Sequence, residues 1–195
     1  LGHDAVALAY LDDIYVLSKS SDTLQEIFNF FNTDNVSLQL NHAKTSIVTL
    51  ADIKSSGMEI LGSCIGSAEA RRKFLEAKIV KLEEKMTRLA GLPHQHSLLL
   101  LRQCLQQELR HLQRCLLGDG LEDLWKRSYR SIWDTANLIR GANTDNLTEF
   151  QSQTTDILYS LPVRLGGLGL LSYETCAPLA YSAAQDVADQ LLEPL

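Results

Sequence analysis

Apolar positions change period along this chain, and the changes mark out its elements. Residues 5–9 are an unbroken small apolar run and residues 14–17 are β-branched and aromatic, so both read as short strands meeting at a hairpin tip that carries Asp12 and Asp13. Ser20-Ser21-Asp22 then precedes Leu24, Ile27, Phe28 and Phe31, the spacing of one helical face behind a capping residue. Leu38-Gln39-Leu40 alternates like a strand entering a turn, and the β-branched run Ser46-Ile47-Val48-Thr49-Leu50 predicts a second strand after it. Met58-Glu59-Ile60-Leu61-Gly62 and Cys64-Ile65-Gly66 predict a further hairpin, with Gly62 and Gly66 at its tight backbone positions.

From Arg71 the period becomes helical. Leu75, Ile79, Leu82, Met86 and Leu89 define an inner face, and Lys78, Lys81, Lys85 and Arg88 run beside it one residue out of phase. A second helix is predicted over 97–117, with Leu98, Leu101, Leu105, Leu109, Leu112 and Leu116 inward, Arg102, Gln106, Arg110 and Arg114 outward, and Gly118 as its stop. A third starts at Leu121 and carries Trp125, Tyr129, Ile132, Ala136 and Ile139. Gly141-Ala142-Asn143-Thr144-Asp145-Asn146 reads as a linker, 147–161 as a helix stopped at Pro162, and 178–192 as an alanine-rich helix. The expected fold class is α+β: a small antiparallel sheet with a packed helix over 1–70, an all-α bundle over 71–140 and a C-terminal helical extension over 141–195.

Charge sharpens this division. The net charge of −6 argues against a nucleic-acid partner until it is divided: 3 basic and 9 acidic residues lie in 1–70, 13 and 7 in 71–130, and 2 and 8 in 131–195. Positive charge is concentrated in the helical middle third, as expected of one element that faces nucleic acid. No apolar run is long enough to cross a bilayer, and the first residues carry neither a basic n-region nor a cleavage pattern, so neither a spanning segment nor a signal peptide is expected. Cys64, Cys104, Cys115 and Cys176 lack the spacing of a zinc site or a disulfide framework and read as buried free thiols in a reducing, intracellular compartment. His94 and His96 read as part of a Pro-containing surface turn.

Two adjacent carboxylates at the end of a dry hairpin repel one another and call for a cation, and Mg²⁺ suits hard oxygen ligands. Tyr10-Leu11-Asp12-Asp13, with an apolar run on either side, resembles the Tyr-x-Asp-Asp motif of reverse transcriptases. Leu38-Gln39-Leu40-Asn41 with Lys44-Thr45 is similar to the fourth palm motif of the non-LTR retroelement enzymes, and Ile60-Leu61-Gly62 with Ile65 is similar to their primer grip, in the family's order. Leu161-Pro162-Val163-Arg164-Leu165-Gly166-Gly167-Leu168-Gly169-Leu170 resembles a segment near the C-terminus of many such reading frames. Its glycines do not fit a dinucleotide fingerprint and read as a turn that lets helices approach closely.

The resemblance implies RNA-directed DNA synthesis in a parent protein, with Mg²⁺ held by Asp12 and Asp13, a proton donated by Lys44, and Tyr10, Leu61 and Gly62 near the primer end. It makes 71–140 a thumb whose Lys78, Lys81, Lys85, Arg88, Arg102, Arg110 and Arg114 follow the backbone of an RNA template and DNA primer duplex. It also implies that the fingers and another essential aspartate belong to a missing N-terminal portion of the same polypeptide, so this chain alone is expected to be inactive. The alternative is a non-catalytic helical module, derived from a retroelement, that binds nucleic acid or protein.

Overall fold

A computed structural model describes residues 5–10, 13–31, 41, 43, 45–89, 91–142 and 148–192. The fold is mixed: α-helices accompany two small antiparallel two-stranded sheets. The chain divides into two compact units, Leu1–Val48 and Thr49–Leu195. Residues 49–70, read from the sequence together with the acidic turn, pack with the helices instead. Leu38-Gln39-Leu40, expected as a strand, lies outside the described residues.

In the first unit β1 (Ala5–Tyr10) pairs antiparallel with β2 (Asp13–Ser18), from Ala5 opposite Ser18 to Tyr10 opposite Asp13. Helix α1 (Ser21–Phe31) packs on β2, and the Ser20 hydroxyl caps it by accepting the Asp22 N–H at 3.2 Å. Leu24, Ile27, Phe28 and Phe31, the predicted face, are half-buried. No described residue of this unit is fully buried. On one face of the hairpin Val6, Leu8 and Leu17 remain 59%, 57% and 60% exposed. Two strands and one helix do not close a core.

The second unit has one. Residues 46–49 form no strand, and residue 50 opens α2 (Leu50–Ser56). The Thr49 hydroxyl accepts the Asp52 N–H while the Asp52 carboxylate accepts the Thr49 N–H, a reciprocal cap that overrides the β-branched run before it. The hairpin of β3 (Met58–Ile60) and β4 (Ser63–Ile65) follows, then α3 (Ala68–Leu89). Leu75, Ile79, Leu82, Met86 and Leu89 are all buried, so the stripe read from the sequence is the inner face of α3. It packs on α6 (Glu122–Arg140), which buries Leu124, Trp125, Ile132, Trp133, Ala136 and Ile139. Arg127 of α6 reaches Glu83 at 2.7 Å and Glu76 at 3.5 Å, and Arg72 pairs with Asp123. The Arg127 guanidinium holds the Glu83 carboxyl below its ordinary range, so this contribution to stability is present at neutral pH and fades as pH falls through the lowered value.

The helix predicted over 97–117 is broken. Helix α4 (His94–Gln103), a tight helical turn at Leu105–Gln107 and the short α5 (Leu112–Cys115) take its place. The Tyr173 hydroxyl donates to the Gln106 carbonyl, which an unbroken helix would offer to the Arg110 N–H; that N–H bonds Gln107 instead, at 3.1 Å. Gln106, expected outward, is 5% exposed. Its amide donates to the Arg102 and Gly169 carbonyls at 2.6 and 3.2 Å and accepts the Leu171 N–H at 3.3 Å. His94 and His96 are exposed in the first turn of α4 behind Pro93, not in a loop.

Helix α7 (Glu149–Ser160) ends before Pro162, and α8 (Tyr173–Leu192) begins five residues earlier than its Pro178 predicts. Ser172 is the reason: its hydroxyl accepts the Thr175 N–H at 3.3 Å and its carbonyl the Cys176 N–H at 2.9 Å. Between the two helices the glycine segment folds back on α7, with Gly169 N–H on the Leu161 carbonyl and Leu170 N–H on the Tyr159 carbonyl, both at 2.9 Å. A Cβ on Gly167 would lie 2.1 Å from the Leu161 oxygen, so the close approach expected from the sequence is present. Of the four free thiols only Cys64 is buried; Cys104 and Cys115 are exposed and Cys176 is half-buried, because they fall off the leucine faces. No helix among the described residues is long and apolar enough to cross a membrane.

Gly167→Ala should lower stability by about 3 kcal/mol, since neither the α7 terminus nor the segment can shift without breaking those bonds; urea unfolding measures it. The bare hairpin should make the chain self-associate. β1 holds no charge, proline or bulge, and nothing among the described residues pairs its outer edge. Light scattering should find oligomers that Leu8→Lys returns to monomer, and a monodisperse unmutated chain would count against it.

Candidate nucleic-acid interface

The acidic turn lies in the first unit. Asp13 opens β2 exposed and pairs with Tyr10, so two residues lie between the paired strands. Asp12 and Lys44 lie outside the described residues, and so does the side chain of Tyr10. Among the described residues no three His, Cys, Asp or Glu side chains are grouped to hold a metal. A magnesium ion takes six oxygen ligands, of which the Asp13 carboxylate alone could supply one or two.

The β3–β4 tip lies in the second unit and is better defined. Ile60 faces Ser63, which leaves Leu61 and Gly62 as a two-residue turn with φ of 49° and 76°. Two positive φ values match the strand twist, but a leucine resists the first. Three contacts hold the hairpin in place. A Cβ on Gly66 would lie 2.6 Å from both the Gly57 Cα and the Ile53 carbonyl, so the base of β4 sits against the end of α2. Lys78 of α3 bonds Glu59 at 3.2 Å. At the tip itself the His111 imidazole donates from Nε2 to the Leu61 carbonyl, 3.1 Å away and fifty positions along the chain. The Cys115 thiol donates to the His111 carbonyl at 3.1 Å and tethers the next helical turn. The Leu61 side chain stays 45% exposed.

The predicted cations separate into two sets. Lys78 is half-buried, paired with Glu59 and 4.7 Å above the Phe74 ring, and Lys85 is paired with Glu108. Arg102 is half-buried beneath the glycine segment, its Cδ 4.0 Å from where a Gly169 Cβ would stand. Lys81, Arg88, Arg110 and Arg114 are exposed, and Arg110 donates to the Gln107 side chain at 2.8 Å. The outward row Arg102, Gln106, Arg110, Arg114 is therefore not continuous, because the helix that would have carried it is broken. What the fold does bring together is the Leu61–Gly62 tip with the exposed stretch that holds Arg110, His111 and Arg114.

His111 was not legible as part of the site. It follows Arg110 among leucines, and only the break in the helix turns it toward the hairpin. This surface offers guanidinium groups, whose donors suit phosphate oxygens, beside an apolar turn. No protein-family model, curated protein or solved structure matches the chain.

Replacing His111 with Ala should speed amide exchange at Ile60 and Ser63 roughly fivefold, the worth of one hydrogen bond, while His111→Gln keeps a donor and much of the protection. Unchanged exchange in the alanine variant would show that His111 does not hold the tip.

Proposed function

We propose that this chain is the rear part of a reverse-transcriptase-like polymerase of the non-LTR retroelement type. In this reading the acidic hairpin and the β3–β4 tip belong to its palm, and the helices of the second unit to its thumb and a C-terminal extension. The observation that carries the reading is the Tyr10–Asp13 pairing: the register leaves a two-residue connection where the Tyr-x-Asp-Asp resemblance needs one. Strand order after it supports the same reading, since the next hairpin presents Leu61 and Gly62, the residues similar to a primer grip.

The second unit holds a primer–template duplex by its backbone in this proposal, with Arg110 and Arg114 beside the tip and Lys81 and Arg88 exposed along α3. Asp12 and Asp13 hold Mg²⁺ only with further carboxylates supplied by the rest of a polymerase. Catalysis therefore belongs to that assembly, and the chain by itself binds without extending a primer. Lys78 and Lys85 contribute less than the sequence pattern implies, because phosphate must displace Glu59 and Glu108 from them. A non-catalytic binding module would use the same surface, and a polymerase reconstituted with the missing carboxylates separates the two: in it Asp12→Ala abolishes extension only if the polymerase reading holds.

Binding of an RNA–DNA duplex should weaken linearly in log–log plots against salt, with a slope of about −0.9 for each phosphate contacted. Arg114→Gln should flatten that slope by about one, uniformly over sequences. No binding at low salt, or a slope unchanged by the substitution, would remove the interface from this surface.

A further inference from the structure

A second concavity lies in the helical unit, made of residues that the duplex-binding proposal does not use. It is a cleft of about 350 Å³ between the loop that enters α6 and the first half of α8. Its floor is apolar and dry: Leu116, Trp125 and Ala177 are 1%, 3% and 4% exposed. Tyr181 and Pro178 form one wall, and the mouth carries Asp119, Glu122 and Glu174. No lysine, arginine or histidine lines it.

The three carboxylates differ from the acids around them. Asp123, the neighbour of Glu122, is engaged by Arg72, and Glu76 and Glu83 by Arg127, whereas none of the three at the mouth has a cation within ion-pair distance among the described residues. Glu122 accepts one long bond, from the Gly120 N–H at 3.4 Å. The first-turn positions of Glu122 and Glu174 suit the dipoles of α6 and α8. That accounts for neither Asp119 nor the apolar floor.

Two further features lie beside the cleft. The Trp125 indole N–H is buried with no acceptor among the described residues. Pro178 has no N–H, so the Glu174 carbonyl loses the donor that the fourth residue onward would supply. The cleft therefore offers three anions and aromatic faces over an apolar floor.

A guanidinium answers this set. It is planar enough to stack on an aromatic ring and brings five donors to carboxylate and carbonyl oxygens. An ammonium matches the charge but not the plane, and a phosphate is repelled. We propose that this cleft binds an arginine side chain presented by a partner polypeptide.

The test uses the full chain labelled with nitrogen-15 at low salt and three capped peptides, acetyl-Gly-Xaa-Gly-amide with arginine, lysine or citrulline at the centre. The readout is the Trp125 indole N–H resonance, told from that of Trp133 because Trp125 packs edge-on to Tyr173 and Trp133 against Tyr159. The arginine peptide should shift it saturably, the lysine peptide should bind several-fold more weakly, and uncharged citrulline should leave it in place. Glu174→Gln and Asp119→Asn should each weaken the arginine peptide roughly threefold, as exposed ion pairs do. A citrulline or lysine peptide that binds as tightly as arginine, an affinity unmoved by both substitutions, or no saturable shift at all would overturn the assignment. Duplex affinity plays no part in this readout, so it stands or falls apart from the polymerase reading.

Discussion

The helical unit depends on one buried side chain. Gln106 lies where the leucine pattern calls for an outward polar residue, yet its amide is turned inward and its donor and acceptor are both used, on Arg102, Gly169 and Leu171. Burying an amide is tolerable only when its bonds are met, and here they are met by a chain segment more than sixty residues away. The Tyr173 hydroxyl completes the clasp by taking the Gln106 carbonyl from the helical ladder. Burial pushes the Tyr173 hydroxyl above its ordinary range, so it remains a proton donor at physiological pH. One constraint thus fixes the C-terminal segment and breaks the preceding helix. The break reaches the candidate site, because a continuous helix advances about 100° per residue and would point position 111 in a different direction.

The two units show how far burial decides order. The second packs apolar faces from α3, α4, α6 and α8 into one cluster containing Trp125, Trp133, Tyr159 and Tyr173. The first offers apolar side chains on a two-stranded hairpin with one helix to cover them, and Val6, Leu8 and Leu17 stay in water. Such a hairpin gains its stability from a neighbour rather than from itself.

Much of this was legible because period and packing agree. The inner face of α3, the burial of Trp125, Ile132, Ala136 and Ile139, the pairing of β1 with β2 and the Leu61–Gly62 turn all follow from local patterns. What escaped depends on partners distant in sequence or on a competing local signal. Residues 46–50 have strand propensity, but the Thr49–Asp52 cap captures the last of them for a helix. Pro178 reads as a helix start, yet Ser172 begins the helix earlier. His111 and Gln106 carry no pattern at all, since their roles are set by Leu61 and by residues 169–171, which nothing nearby in sequence announces.

Charge shows the same limit in energetic terms. The surplus of basic residues in 71–130 was read as one cationic face, and pairing does not alter that total. It does alter where a phosphate is attracted. Lys78, Lys85, Arg72 and Arg127 each have a carboxylate within ion-pair distance, so the local field near them is that of a dipole, which falls off faster than that of a lone charge. Lys81, Arg88, Arg110 and Arg114 are exposed and make no ion pair among the described residues, so an approaching backbone meets their charge unpaired. Arg114 follows His111 by three residues, so its guanidinium is borne by the same helical stretch that holds the Leu61–Gly62 tip. A net count over sixty residues therefore locates the surplus of positive charge, and the pairing within it decides which cations are left outside ion pairs.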